Sequence, residues 1–282
     1  MIPSIHERRI KHLCAGLLLA GALLSTLSAH AWGPVTHAYI ASQIFPDAPP
    51  ALLFGAMVAD LNGFSGLGDK GDSTLKHLTH REAKLLAPSP FALGLLTHDA
   101  DWGADSYAHA YFHLPTDKLY PLRVYEQLSC ETGITMNNAE DVIETLVDYV
   151  VCRDMGREFV RKILDAVNAA GPAEEQALVD AYTGPFMERM PELTREKAEM
   201  TIRKAFRCEK AALKCTACFM LTSDKYQRAF APYMIWLGTG IPFDIAGTCT
   251  RRGIELCAGW RANLDQIARE MGAKMRELKY LP

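Results

Sequence analysis

No histidine follows His113 in a chain of 282 residues. Runs of strictly alternating apolar and polar residues are also missing, which leaves helices as the only regular elements the pattern supports. Internal repeats, sustained heptads and low-complexity linkers are absent, so solenoids and coiled coils are excluded. Basic residues are in slight deficit, 30 Lys and Arg against 33 Asp and Glu, for a formal charge of −3. Such a chain has no electrostatic footprint for a polyanion, and a nucleic-acid substrate is disfavoured unless bound cations supply local positive charge. Cys215-x-x-Cys218 has no second C-x-x-C and no neighbouring histidine. A structural disulfide, with Cys208 as a candidate partner, is favoured there over half a zinc site or a redox pair.

What is present begins with a targeting signature. Arg8, Arg9 and Lys11 precede an apolar run from Cys14 to Leu27, and Ala29-His30-Ala31 has the small-x-small pattern of a signal-peptidase site. The run is shorter than the ~20 residues of a spanning helix. Residues 1–31 therefore read as a signal peptide, and cleavage after Ala31 makes Trp32 the mature N-terminus. The expected location is periplasmic or extracellular. In that oxidising setting the seven remaining cysteines allow up to three disulfides.

Helical periodicity dominates the rest, and 49% hydrophobic residues suffice for a packed core. Helices are expected over residues 32–45, capped by Thr36, and over 52–58. A Gly- and Asp-rich loop spans 62–74, and a helix opens near His77. The stretch 94–113, GLLTHDADWGADSYAHAYFH, reads as the central helix. At about 100° per residue, His98, Asp101, Trp102, Asp105, His109 and His113 share an arc of roughly 120°. Further helices are expected over 119–128, 141–155, 158–169, 174–182 and 195–219, then in pieces from 226 to 281. The segment 229–247 carries one charge, Asp244. Its glycines and prolines make it a poor membrane span, so it reads as a buried helix pair, with interfacial membrane contact as the alternative. Residues 32–118 form a metal-binding helical core, and 119–282 a helical region packed on it.

Six histidines remain after the signal: His37, His77, His80, His98, His109 and His113, all before residue 114. Crowding of this kind points to a shared task, and imidazole nitrogens with carboxylate oxygens are zinc ligands.

The order Trp32, His37, Ala59-Asp60, His77-x-x-His80, GLLTH ending at His98, and Asp105-x-x-x-His109 with Tyr111-Phe112 resembles the zinc-dependent phospholipase C family. That family is related to the trinuclear zinc nucleases specific for single strands. The resemblance covers roughly residues 32–115. It implies an all-α domain around a zinc cluster, and ligands at Trp32 (through its terminal amine and carbonyl), His37, Asp60, His80, His98, Asp105 and His109, with His77 as an assisting neighbour. Asp105 is the implied bridge between metals, but it stands seven residues after His98 where the family has four, so Asp101 remains a rival. The family's third metal takes a His and a Glu from a later helix. Here no later His exists, so two zinc ions are expected. A third would need His109 with His113 or with Glu140, Asp141 or Glu144.

Paired zinc ions suit phosphodiester hydrolysis by metal-activated water. Asp60 is the expected proton acceptor, with Asp101 as runner-up. A helix-capping role is the structural alternative for Asp60. The expected substrate is a phospholipid or another phosphodiester, with peripheral membrane contact. Two alternatives stand beside it: a nuclease of the same superfamily, and a non-catalytic, metal-stabilised helical protein that binds a lipid or a partner.

Overall fold

The computed structural model describes residues 32–109 and 120–281, and every regular element among them is helical. The expected signal peptide, Tyr111, Phe112 and His113 lie outside these residues. The helices are α1 Pro34–Ile44, α2 Pro50–Met57, α3 Gly68–Arg81, α4 Pro90–Leu96, α5 Ala104–Ala108, α6 Tyr120–Thr132, α7 Met136–Ala169, α8 Pro172–Arg189, α9 Arg195–Met220, α10 Asp224–Thr239, α11 Phe243–Leu256 and α12 Trp260–Glu277. A 3-10 helix, Val58–Phe64, follows α2 directly.

α7 is the spine. It is kinked at Gly156, and it packs against α1, α2, α6, α9, α10 and α11. Its buried stripe, including Val142, Ile143, Leu146, Val150 and Val151, joins a core that runs from Trp32 to Met271. α2 and α4 cross at backbone contact. A Cβ on Gly55 would lie 2.2 Å from the Phe91 carbonyl oxygen, and one on Gly94 would lie 2.0 Å from that of Leu52. Only glycine permits this approach at both positions. The crossing fixes the 3-10 helix that leaves α2 beside the turn that leaves α4.

Several expectations are corrected. The stretch 94–113 is not one helix. α4 stops at Leu96, and α5 begins only at Ala104. Between them the Asp99 Oδ1 accepts from the backbone N–H groups of Asp101 and Trp102, closing an Asx turn. The loop expected at 62–74 is largely helical, because α3 already starts at Gly68. Thr36 does not cap α1 by its own side chain, since the N-cap is Gly33.

All seven cysteines among the described residues are free thiols. Cys208, Cys215 and Cys218 share α9. Cys215 and Cys218, three apart on the helix, hold their Cβ atoms roughly 5–6 Å apart, beyond the about 3.5–4.5 Å that a disulfide spans, and Cys208 lies about two turns or more away along the same helix.

The segment 229–247 is not a buried pair either: Tyr233, Trp236, Leu237 and Phe243 are exposed. No helix among the described residues is long and apolar enough to cross a membrane.

Candidate metal centre

Five short elements from the first third of the chain and one long helix from its middle converge on a buried polar cluster. His37 stands in the first turns of α1. Asp60 sits in the 3-10 helix with non-helical angles, φ −82° and ψ 19°. His80 closes α3, and a hydrogen bond of 2.8 Å from the Ala100 N–H to the His80 carbonyl ties that end to the turn carrying His98. Asp105 and His109 belong to α5 and its C-cap. Two tyrosines hold α5 in place: Tyr107 donates to Glu270 of α12 at 2.8 Å, and Tyr125 of α6 donates to the Ala108 carbonyl at 2.9 Å.

The rings of His37 and His98 stack with centroids 3.9 Å apart, and His80 meets His98 edge-on at 4.7 Å. His80 Nε2 lies 3.3 Å from Asp60 Oδ1 and 3.7 Å from Asp105 Oδ1. His98 Nε2 lies 3.7 Å from Asp60 Oδ2. Asp105 Oδ1 is 3.2 Å from His109 Nε2, and His109 Nδ1 is 2.6 Å from Glu140 Oε1. His98 and Asp105 are both fully buried, yet neither ring nitrogen of His98 has a hydrogen-bond partner, and Asp105 meets only the His80 and His109 rings.

That geometry tests whether a cation fits. Thr79 Oγ1 donates to the Leu75 carbonyl at 3.1 Å and lies 2.8 Å from His80 Nδ1. A hydroxyl has one hydrogen, so the contact is satisfied when Nδ1–H donates to it. With the ring neutral, His80 Nε2 then aims a lone pair at Asp60 and Asp105, and acceptors facing acceptors in a buried site are costly unless a proton or a metal cation lies among them. Three groups of side chains each bring one ligand atom within 4.8 Å of the others: His37, Asp60 and His98; His80, His98 and Asp105; and His109, Glu140 and Glu144. The residues fit metal ions. The first two groups share His98 and form an imidazole-rich end, whereas the third forms a carboxylate-rich end.

Electrostatics differ between the ends. Burial, reinforced by His37, pushes His98 well below the usual histidine range and keeps it neutral. Burial opposes ionisation of Asp105, but the His109, His80 and His98 rings outweigh it and hold the carboxyl well below its ordinary value. His109 goes the other way, pushed up to about 10 by Asp105 and Glu140 against the effect of burial. Burial raises Glu144 well above the carboxylate range.

Of the residues expected from sequence, His37, Asp60, His80, His98, Asp105 and His109 come together here. Trp32 is buried and lines the adjoining cleft with Asp60 and Glu144. Asp101 does not belong to the centre. Its exposed side chain pairs with Arg81 at 2.5 Å, because the Asx turn swings it to the surface. His77 is also outside, between Glu82 at 3.6 Å and Arg189 at 2.5 Å.

Sequence reasoning missed two buried acids, Asp148 of α7 and Glu209 of α9. Both carried a legible signal. Glu140, Glu144 and Asp148 recur every four residues on one face of α7, and Glu209 interrupts the apolar stripe of Ala205, Phe206, Ala212 and Leu213.

The centre opens into a cleft of about 180 Å³. Its charged lining is acidic, from Asp60, Asp141, Glu144, Asp148 and Glu209, and among the described residues no Lys or Arg lines it. The opposite wall is apolar, with Leu213, Phe219, Met220, Met234 and Ile235. Glu209 faces Asp60 across the floor, burial raises its carboxyl well above the usual range, and its Oε2 has no hydrogen-bond partner. No family model, characterised protein or solved structure matches the chain.

Proposed function

We propose that this chain is an exported, zinc-dependent phosphodiester hydrolase of the phospholipase C kind. One observation carries the reading: two buried groups and one half-buried group of nitrogen and oxygen ligand atoms lie against a cleft that is acidic at its floor and apolar along its wall. Mixed imidazole and carboxylate donors suit zinc. His37, Asp60, His80, His98 and Asp105 would hold two ions, and His109 with Glu140 and Glu144 a third. Bound zinc supplies Lewis acidity and water acidified toward a pKa of about 7.

The chain's own groups divide the remaining work. Asp60 is the one ligand of the imidazole-rich end that also lines the cleft, at 8% exposure, so it is the carboxylate placed to take a proton from an incoming water. Asp105 is sealed from the cleft and serves to hold His80 and His109 in position. The apolar wall accommodates the hydrocarbon part of a lipid and excludes water from it. An acidic floor disfavours a long polyanion, which supports phospholipid over nucleic acid as the substrate. Exposed Tyr233 and Trp236 stand on α10, which lines the cleft, with exposed Phe243 packed against them, and the amphipathic Tyr and Trp rings suit peripheral contact with a membrane.

The test uses zinc-loaded protein, its N-terminus sequenced, with three substrates: phosphatidylcholine, a chromogenic phosphodiester and single-stranded DNA. Release of phosphate esters from the first two, with a start at Trp32, is the expected result. Tight zinc without hydrolysis of any of them would overturn the enzyme reading in favour of a metal-stabilised binding protein.

A further inference from the structure

We infer that Asp148 is a positioning residue that locks the His37 segment into the metal centre. The inference rests on the proposed metal-centre reading and adds to it a residue that ligates nothing. α1 opens with Gly33 at its N-cap and Pro34 at its first position, so it lacks a capping side chain of its own. The Asp148 carboxylate supplies the cap from more than a hundred residues away. Oδ2 accepts from the Val35 N–H at 3.0 Å, while Oδ1 accepts from the Thr36 N–H at 2.7 Å and from the Thr36 hydroxyl at 2.6 Å. A carboxylate at this place also complements the positive end of the helix.

The fit is close enough to dictate the neighbouring residue. A Cβ on Gly33 would lie 2.3 Å from Asp148 Oδ2. Asp148 stands one helical turn beyond Glu144 and two beyond Glu140 on α7. One face of one helix therefore presents two ligand candidates to the carboxylate-rich end and clamps the helix that delivers His37 to the imidazole-rich end. Thr36, the clamped residue, is adjacent to His37, so displacement of the first turn of α1 moves that ring directly.

The test compares wild-type protein with Asp148→Asn, Gly33→Ala and Thr36→Val by cobalt titration, with 15N-histidine NMR to report each ring. Asp148→Asn and Gly33→Ala are expected to weaken the ion held by His37 by roughly 10–100-fold, as loss of an outer partner of a metal ligand does. Thr36→Val is expected to weaken it less, and the His109 ring and its ion are expected to stay as in wild type. Unchanged cobalt affinity and an unchanged His37 signal in Asp148→Asn would overturn the inference, as would an equal loss at every ion. If Asp148→Asn does not fold, Gly33→Ala and Thr36→Val decide by the same two criteria. If the wild-type protein takes no cobalt, the metal reading fails separately. The clamp is then judged by amide exchange at Val35 and Thr36, where slow exchange supports it and rapid exchange overturns it.

Discussion

The two ends of the centre are built differently. The imidazole-rich end takes His37, Asp60, His80, His98 and Asp105 from short elements within residues 32–109. The carboxylate-rich end pairs His109 with Glu140 and Glu144, which ride on the long helix α7. Burial keeps His98 neutral and ready to ligate, whereas His109 is held protonated by its acidic neighbours. A metal ion entering the second end would have to displace that proton, since ligands bind in their deprotonated forms. The centre is therefore not one uniform cluster: on the proposed reading, the imidazole-rich end would accept a metal ion as it stands, whereas the carboxylate-rich end would first give up a proton.

The largest expected effect is at the joint. Asp105 lies between His80 and His109 and is fully buried. Asp105→Asn is expected to lower metal content at both ends and to cut phosphodiester hydrolysis by more than the roughly 100-fold of an outer-partner change. Metal analysis and steady-state rates read this directly, and loss at one end alone would separate the two ends completely.

Glu144→Gln sharpens the comparison from the other side. It is expected to remove one ion while the imidazole-rich end keeps its own, seen as a drop of one metal per chain by mass spectrometry under native conditions. Equal loss from both ends would erase the distinction.

Glu209 probes the floor between them. Its folded pKa is raised above the unfolded value, so its stabilising contribution is complete at low pH and is lost as pH rises through the folded value. Glu209→Gln removes that loss. The variant is expected to melt close to wild type at pH 4 and a few degrees higher at pH 8. A melting gap that stays constant with pH would show that Glu209 finds a cationic partner in the folded protein.

The smallest effect is expected at Asp101. Its exposed pair with Arg81 contributes little. Asp101→Asn should leave metal content intact and change stability by no more than about 0.5 kcal/mol by chemical denaturation.

The histidine cluster was legible because the residue is scarce and crowded into one part of the chain, while Asp60, His80 and His98 were singled out by the order and spacing of the motifs that carry the family resemblance. The all-helical architecture was legible from periodicity. The break inside 94–113 was not. A stripe at helical spacing looks continuous when no proline interrupts it, and the stop comes from Asp99 turning back on the N–H groups of Asp101 and Trp102. That turn is why His98 and Asp105, though seven apart, meet in one site while Asp101 leaves it. Asp148 and Glu209 were hidden for another reason. Their spacing on α7 and α9 was visible, but an acid on an amphipathic helix ordinarily faces water, and only the packing of α7 and α9 against the first elements shows that those faces point inward. The exposed aromatic residues of α10 and α11 were misjudged because apolar composition alone does not say whether a face finds a partner.

An anomalous-scattering map recorded at the zinc edge from zinc-loaded protein tests the central claim most directly. Peaks are expected at both ends, among His37, Asp60, His80, His98 and Asp105 and between His109, Glu140 and Glu144, with the first end filled at the lower zinc concentration. No peak within the buried cluster, or zinc confined to surface side chains, would contradict it.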